Sequence, residues 1–290
     1  MALSTPPSVH ADFLRDGAIV LRRIVDDEWI QKLREAVDSL MKGSVRGRNI
    51  GSAGEGRFFA DSFCWLQSEV VAEFVKCSGL GQLAGTIMNC DIVRLFSDQL
   101  LVKEPGALKR TPWHQDLPYW PVSGGDMLTI WVPIDPATAE NGVVTYVRGS
   151  HQWPKFHGPD SFTDEQSSLT SIDITEGGGI RAMDLDTHPE RFDLLSWDVE
   201  PGDVIVHHPL VVHGAPGNRS STDMRRALAT RWFGNGVRWD DTRPNFMQRF
   251  KGLDDFPYPS LTNGELAEDD RLFPVVWNRH SMTSQSRIGP

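Results

Sequence analysis

A histidine and an aspartate lie two positions apart in residues 111–116, which read Thr-Pro-Trp-His-Gln-Asp. Side chains at positions i and i+2 of a strand project from the same face, so His114 and Asp116 can bind one metal ion together. His213, in the sequence Val-Val-His-Gly, is the natural third ligand. Two histidines and one carboxylate leave coordination positions open, an arrangement typical of non-haem Fe(II) oxygenases. These three residues predict an iron site for oxygen chemistry.

The surroundings of this pair distinguish it from a His-x-Asp that arises by chance on an exposed strand. Trp113, Pro118, Tyr119 and Trp120 give the pair an apolar setting. An unpaired ionised Asp116 would be costly there. A bound cation offsets that cost, so the composition favours metal ligation.

Two adjacent arginines, Arg225 and Arg226, precede the apolar run at residues 227–233. Neighbouring strand residues face opposite sides, so at most one of the two points inward. An inward guanidinium near a metal can bind a carboxylate in bidentate fashion. A dicarboxylic 2-oxo acid matches both features, because its oxo-acid end chelates iron and its distal carboxylate meets the arginine.

Further short motifs accompany these residues over most of the chain, from about residue 12 to residue 233. In chain order they are Asp98-Gln99, Lys103-Glu104-Pro105-Gly106, Trp113-His114-Gln115-Asp116, Trp131-Val132-Pro133-Ile134-Asp135, Glu140-Asn141-Gly142, Gly149-Ser150-His151, Gly202-Asp203, His208-Pro209, His213-Gly214, Asn218 and Arg225-Arg226-Ala227-Leu228. In order and spacing the set resembles the phytanoyl-CoA dioxygenase family of Fe(II)/2-oxoglutarate-dependent oxygenases. Each motif alone is weak, and the combination is specific.

The resemblance implies roles for individual residues. The two histidines and the aspartate named above correspond to the iron ligands, and Arg225 corresponds to the arginine that binds 2-oxoglutarate. Gln99 and Trp131 occupy positions that in relatives face the cosubstrate or the substrate. Two features depart from the family pattern: Ala215 stands where relatives often have serine, and the interval from His213 to Arg225 is one residue longer. The longer interval leaves open which arginine points inward.

The resemblance also implies a reaction. Fe(II), O2 and 2-oxoglutarate would act together, with 2-oxoglutarate converted to succinate and CO2 and an unactivated C–H bond of a small molecule hydroxylated. Asp116 retains the carboxylate that related halogenating enzymes replace by a small residue, so hydroxylation is expected. Desaturation and ring closure stay open, because they share the removal of a substrate hydrogen. A metabolite or natural-product intermediate is the expected substrate.

Two other interpretations are compatible with the same residues. A cupin-type metal enzyme would not use 2-oxoglutarate, and Arg225 would then have no carboxylate to bind. A non-catalytic metal-binding module would keep only the fold, but such a relative would be free to lose Asp116. His207 and His208 lie close to His213 and compete as ligands, although His208 is better explained by a buried hydrogen bond.

Candidate substrate contacts flank the predicted site. They are Trp113, Tyr119, Trp120 and Phe59. Phe59 follows residues 43–57, which carry five glycines and three arginines without an apolar period. This segment predicts a flexible loop and a candidate lid, with an ordinary anchored loop as the alternative. Residues 151–195 predict a long polar insertion for which the same question stays open.

The elements that must position these residues change character along the chain. Residues 9–90 are mostly helical: a helix over 9–17, a strand over 18–21, a helix from Asp26 or Asp27 to Gly43, and a helix pair in 70–88 broken at Gly79 and Gly81. From about Ile92, short apolar runs alternate with Gly, Pro and Asn turns. The predicted strands are residues 92–102, 129–134, 143–147, 203–208 and 227–233.

Such evenly spaced strands favour a barrel or jelly roll, and the family resemblance implies a double-stranded β-helix (cupin-like) core. We therefore predict a mainly β fold with N-terminal helices. Residues 1–290 are expected to form a single dioxygenase domain, with a helical part at about 9–90, a core at about 92–235 and a C-terminal extension at 236–290.

Composition limits the partners. The 290 residues are 39% hydrophobic and 23% charged, and 29 basic against 39 acidic residues leave a net charge of −10. An acidic surface repels phosphates, so neither nucleic acid nor an anionic membrane is expected as a partner, and a neutral or cationic substrate is favoured. No apolar run approaches the roughly 20 residues of a membrane span, and no signal peptide is evident. A cytoplasmic protein, monomer or homodimer, is expected.

Overall fold

The computed structural model describes residues 7–51, 54–154, 156–157 and 180–280. The helices in these ranges are α1 (Val9–Asp16), α2 (Asp27–Gly43), α3 (Glu69–Cys77), α4 (Leu80–Met88) and α5 (Ala182–Thr187). Short 3-10 helices lie at Cys64–Leu66, Leu117–Tyr119, Ser150–Gln152, Pro189–Arg191 and Phe246–Phe250. None of the helices in the described part of the chain combines the length and the apolar character that crossing a bilayer requires.

The strands are, in chain order, β1 (Ala18–Leu21), β2 (Arg48–Asn49), β3 (Phe58–Ser62), β4 (Ile92–Lys103), β5 (Thr111–His114), β6 (Val122–Ser123), β7 (Met127–Pro133), β8 (Thr145–Val147), β9 (Phe156–His157), β10 (Ile180–Arg181), β11 (Leu194–Ser196), β12 (Val204–His207), β13 (His213–Ala215), β14 (Arg225–Phe233), β15 (Arg238–Trp239) and β16 (Val275–Asn278). A major sheet has the order β1-β12-β7-β14-β4-β3-β2, with β16 also pairing with β4. A minor sheet has the order β11-β8-β13-β5. Both are antiparallel, as expected for a mainly β fold with N-terminal helices.

The predicted helices agree with the structure apart from one break. Gly17 ends α1 in the left-handed conformation (φ 77°) that glycine adopts without strain. The second helix pair is interrupted at Gly79, but Gly81 lies inside α4, so the prediction of a break there was wrong. A Cβ at Gly81 would lie 2.7 Å from Cγ1 of Val276, so this glycine instead allows the C-terminal strand β16 to pack closely.

Two hydrophobic clusters cover the outer side of the major sheet and the end of the fold. The helices pack on the sheet through residues such as Leu33, Phe74 and Leu228. An aromatic cluster around Phe63 and Phe96 joins the C-terminal segment to the same sheet. These clusters cover one face of the major sheet. Its other face is directed toward the minor sheet.

Strand β14 shows how the inner face of the major sheet is built. Its residues alternate between two sides. Leu228 packs with the helices, whereas Ala227 and Ala229 belong to the cluster between the sheets. Arg225 and Arg231 are an even number of residues from these alanines and therefore face the same side of the strand. Two small side chains thus separate the two arginines on the inner face. The alanines leave room for a cavity.

The two segments considered as lids are only partly described. Within residues 43–57, Arg48 and Asn49 form the edge strand β2 and pair with Ala60 and Phe59 of β3, so this part of the predicted loop has regular structure. Residues 52–53 lie outside the described residues. In the insertion at 151–195, residues 155 and 158–179 lie outside them as well, and α5 lies in the remainder.

Candidate metal centre and cosubstrate pocket

The minor sheet brings the three predicted metal ligands together. His114 ends β5 and His213 begins β13, and the two residues are direct partners in the antiparallel register of these strands. Asp116 follows β5 by two positions. One side-chain donor atom from each of the three lies within 4.8 Å of the others, and all three residues are buried. These atoms could hold a single metal ion.

Both histidine rings are oriented by the same kind of hydrogen bond. Nδ1 of His114 lies 2.9 Å from the carbonyl oxygen of Pro112, and Nδ1 of His213 lies 3.0 Å from that of Val211. A carbonyl oxygen only accepts, so each Nδ1 carries the proton and donates. Each Nε2 is then left with the lone pair that a metal requires. Burial lowers the pKa of His213 well below its ordinary value, which keeps its ring neutral.

Asp116 is ionised in spite of its burial. Burial raises the pKa of its carboxyl, but the cation of Arg231 and the rings of His114 and His207 outweigh that effect, and the pKa lies well below its ordinary value. Nε of Arg231 is 3.6 Å from Oδ2 of Asp116, and Nε2 of His207 is 3.7 Å from the same oxygen. The donor set is therefore two imidazoles and one ionised carboxylate, which fits Fe(II).

The two competing histidines have separate places. His207 ends β12 in the major sheet, and its Nδ1 lies 3.3 Å from the hydroxyl of Tyr146. Its Nε2 lies 3.7 Å from Oδ2 of Asp116, so it belongs to the surroundings of that carboxylate. His208 is half-buried and accepts a hydrogen bond from the backbone N–H of Leu210 at 3.0 Å. This agrees with the hydrogen-bonding role expected for His208.

A cavity of about 240 Å³ opens beside the three donors, between the two sheets. Residues of both sheets and of the C-terminal segment line it. They include Arg48, Phe58, Ser62, Gln99, Leu101, Arg110, His114, Asp116, Tyr119, Trp120, Thr129, Trp131, Tyr146, His207, His213, Ala215, Arg225, Ala229, Arg231, Phe246 and Arg249. The volume is below the roughly 300–1,000 Å³ of most ligand pockets, so large ligands would extend out of it.

Arg225 is the arginine of the pair that faces this cavity. It is 2% exposed, and its guanidinium lies over the ring of Trp131 at 5.8 Å and donates to the carbonyl oxygen of Leu101. Arg226 faces outward and bonds both carboxylate oxygens of Asp135. The longer interval before the pair thus does not change the inward position.

A buried lysine lies beside Arg225. Lys103 is its register partner on β4, is fully buried, and donates from Nζ to the carbonyl oxygen of Pro216 at 2.5 Å. Burial and the neighbouring Arg225 charge lower the pKa of Lys103 well below its ordinary value. The guanidinium of Arg225 forms no ion pair with a carboxylate among the described residues, and a buried cation without such a partner is costly. A carboxylate bound there would remove the cost.

Several buried polar atoms of the cavity wall have no hydrogen-bond partner among the described residues. They are Nε1 of Trp131, Oγ1 of Thr129, Nε2 of His207, Nε of Arg225 and Nε of Arg231. Buried polar groups without partners are rare in folded proteins. Their concentration around one cavity indicates a polar ligand, and a 2-oxo diacid supplies the acceptors that the arginine and tryptophan N–H groups require.

The predicted substrate contacts divide into two groups. Tyr119 and Trp120 line the cavity, as do Gln99 and Trp131. Trp113 does not: it packs with Val147 and Val212, and its Nε1 donates to Asp186. It neighbours His114 on β5 and points to the opposite side, so the structure does not bring it to the site.

Phe59 is the second predicted contact that lies elsewhere. It packs in the cluster beneath the helices, and its ring lies against Gly47. Its neighbour Phe58 lines the cavity instead. The sequence marks this aromatic pair but does not say which member faces inward, because that depends on the register of β3 against β4.

Four arginines of the cavity wall were not predicted from the sequence. Arg231 could have been found from its even spacing from Arg225 in the same strand. Arg48, Arg110 and Arg249 come from β2, the β4–β5 connection and the 3-10 helix at Phe246–Phe250. They carry no local signal, because only the fold brings them to one cavity.

Comparisons with known proteins agree with this geometry. Residues 13–227 match the family model for phytanoyl-CoA dioxygenase (PhyH). The chain is similar to the multifunctional dioxygenase prhA of Penicillium brasilianum, with 26% identity over 240 residues, 79% of this chain and 72% of that protein.

Two solved structures have the same fold. The alpha ketoglutarate dependent epimerase SnoN from nogalamycin biosynthesis, in complex with Fe3+, alpha ketoglutarate and nogalamycin RO, has a TM-score of 0.70 at 22% identity over 92% of this chain and 97% of that one. The carbocyclase SnoK from the same biosynthesis has a TM-score of 0.69 at 20% identity over 93% and 96%. The predicted family resemblance and double-stranded β-helix are confirmed.

Proposed function

Since the chain belongs to the phytanoyl-CoA dioxygenase family, and is thus an oxygenase, we propose that it holds Fe(II) through His114, Asp116 and His213 and binds 2-oxoglutarate against Arg225. In the proposed reaction, a C–H bond of a small molecule is hydroxylated, one atom of O2 enters the product, and the other enters the succinate formed with CO2 from 2-oxoglutarate. The observation that carries the proposal is that three converging metal donors and a buried arginine, which has no ion-pair partner among the described residues, line one cavity.

The chain's own residues prepare the site before either ligand binds. The carbonyl oxygens of Pro112 and Val211 fix both imidazole rings with Nε2 free. When bound, the iron would supply the activation of O2. Arg225, with Lys103 beside it, holds the positive charge that meets the distal carboxylate of 2-oxoglutarate. Preorganised charges of this kind need no rearrangement when the anion arrives.

The cavity wall positions the substrate and excludes water. Trp131 supports the Arg225 guanidinium, and the small side chain of Ala229 lines the same cavity. Trp120 lies under the guanidinium of Arg231 at 5.4 Å. Aromatic walls of low polarity keep bulk water from the reacting C–H bond, which limits side reactions.

The test begins without oxygen. Protein loaded with Fe(II) should bind 2-oxoglutarate, and admission of air with a panel of small molecules should give succinate together with a hydroxylated product. We expect Arg225→Ala to raise the 2-oxoglutarate requirement sharply. Failure of the Fe(II)-loaded protein to bind 2-oxoglutarate would support the cupin-type interpretation instead. A product with a new double bond or ring would still support the use of 2-oxoglutarate. It would show that the reaction is desaturation or ring closure instead of hydroxylation.

A further inference from the structure

The charges around the cavity are opposite in sign to the net charge of the chain. Five arginines line it, and Asp116 is the one carboxylate residue among the described residues that line it. The proposed iron ligands use Asp116, and 2-oxoglutarate uses Arg225. Cationic side chains remain that neither ligand explains.

Two of the remaining arginines are already compensated. Arg110 pairs with Asp186 at 2.5 Å. Arg231 donates to Oε1 of Gln99 at 2.7 Å and lies next to Asp116. These contacts give both guanidinium groups a local role within the protein.

Arg48 and Arg249 differ from them. Among the described residues no carboxylate forms an ion pair with either one, and the guanidinium of Arg249 donates to the hydroxyl of Ser62 at 2.9 Å. Asp61 is the nearest acidic influence on Arg249, but its oxygens already accept from Ser44, Gln67 and the backbone N–H of Ser62. Both arginines are exposed and line the cavity, so they lie at its mouth.

The fold holds these like charges together. Desolvation of the guanidinium at the cavity wall and the nearby charge of Arg48 lower the pKa of Arg249 to about 10, against the opposing charge of Asp61. Arg48 is held by the pairing of β2 with β3. Arg249 is held because the next residue, Phe250, is buried in the aromatic cluster and its ring lies 4.5 Å from the Arg249 guanidinium. Such a prearranged pair of cations fits an anion between them.

The position of Arg249 is separate from the proposed 2-oxoglutarate position. Ser62, which accepts from Arg249, is in register with Gln99, and Gln99 is in register with Ala229. Ala229 lies four residues from Arg225 along β14, about 13 Å at the rise of a strand. Arg249 and Arg225 thus lie at different parts of the cavity that the metal donors line.

We propose that the organic substrate carries a carboxylate or a comparable oxyanion, and that Arg48 and Arg249 bind this group at the mouth of the cavity while the C–H bond to be oxidised lies beside the metal donors. The inference rests on the proposed function and names its substrate class. It replaces the neutral or cationic substrate expected from the net charge of the whole chain, because the groups that contact a ligand determine its recognition.

Sulfate is the probe for the test. Its oxygens can accept hydrogen bonds from two guanidinium groups at once, and it carries no carbon skeleton that would have to fit the cavity. Protein loaded with Fe(II) and saturated with 2-oxoglutarate under anaerobic conditions is titrated with sulfate at constant ionic strength, and heat of binding is measured. We expect saturable binding that Arg48→Gln and Arg249→Gln each weaken by at least about tenfold. Arg110→Gln removes the same charge from the same cavity and should leave the affinity within about threefold.

A second experiment compares candidate substrates with and without a carboxylate. Straight-chain alkanoates and the alkanamides of equal length are compared as stimulators of succinate formation, and the acids alone should stimulate. Equal sulfate binding in wild type, Arg48→Gln and Arg249→Gln, or stimulation by acids and amides alike, would overturn the proposed subsite. If 2-oxoglutarate itself does not bind the Fe(II)-loaded wild type, the proposed function fails, whereas tight 2-oxoglutarate binding without saturable sulfate binding refutes the subsite alone.

Discussion

His114 and His213 face each other directly across the antiparallel pair β5–β13, with their ring centroids 4.1 Å apart. The register of two short strands therefore decides whether the proposed metal site can form. A slip of one residue would turn one ring to the other face of the minor sheet. The pairing of β13 with β8 on its other side, which places Tyr146 opposite His213, secures that register.

Removal of one ring should abolish metal binding. We expect His213→Ala to weaken Fe(II) binding by more than about 100-fold, because two donors remain and the open position cannot be filled from the same strand. Iron content after anaerobic gel filtration measures this. His208→Ala is the matched control, since His208 lies outside the cavity, and it should retain iron. Equal loss of iron in both variants would show that the fold, not the ligand set, was disturbed.

Arg225 and Arg226 offer a comparison of two neighbours on opposite faces. Arg225→Gln should raise the KM for 2-oxoglutarate about 100-fold, equivalent to about 3 kcal/mol for a charged hydrogen-bonded group in a buried site. Arg226→Gln breaks the ion pairs with Asp135 and Asp38. It should lower the free energy of unfolding by about 1–3 kcal/mol and leave that KM unchanged. A large change of KM in Arg226→Gln would contradict the assignment.

Phe58 and Phe59 form a similar pair. Phe59→Ala should lower the free energy of unfolding by about 3–5 kcal/mol, because it empties a site in the hydrophobic core. Phe58→Ala should cost less stability and weaken 2-oxoglutarate binding about fivefold, because the Phe58 ring supports Nζ of Lys103 at 4.9 Å beside Arg225. Urea denaturation and anaerobic 2-oxoglutarate titration measure the two effects. The reverse pattern would place Phe59 at the ligand.

The pH dependence of stability should reflect Asp98. Its buried carboxylate accepts from the backbone N–H groups of Cys64 and Trp65. Burial raises its pKa from 3.8 to about 6, although these hydrogen bonds oppose the shift. The folded protein thus binds more protons than the unfolded chain between these values. The resulting stability, about 3 kcal/mol, is present below about pH 4 and lost as the pH rises through 6.

Asp98→Asn removes this titration. We expect the difference in free energy of unfolding between wild type and Asp98→Asn to fall by about 3 kcal/mol from about pH 4 to pH 7, measured by urea denaturation. Other acidic groups contribute equally to both proteins and cancel. A difference that stays constant across this range would mean that Asp98 is ionised in the folded protein throughout.

Much of the site is determined by the sequence alone. The His-x-Asp pair, the later histidine and the arginine pair mark the chemistry, because ligand types and period-two spacing are local properties. Six of the strands were predicted within a few residues for the same reason: for example, the predicted strand at 92–102 is β4, and that at 227–233 is most of β14. The order of short motifs was sufficient to predict the family.

Only the tertiary structure decided which face of each strand is inward. Alternation places Phe58 opposite Phe59 and Arg225 opposite Arg226, but the pattern is the same whichever one is inside. The register against neighbouring strands determines which member of each pair faces inward. Hydrogen bonds between residues far apart in sequence set that register. Arg249 reached the cavity from a segment with no motif. The positive charge of the cavity depends on where the fold places the arginines and not on the composition of the chain. A chain with a negative net charge can still place its arginines around one pocket.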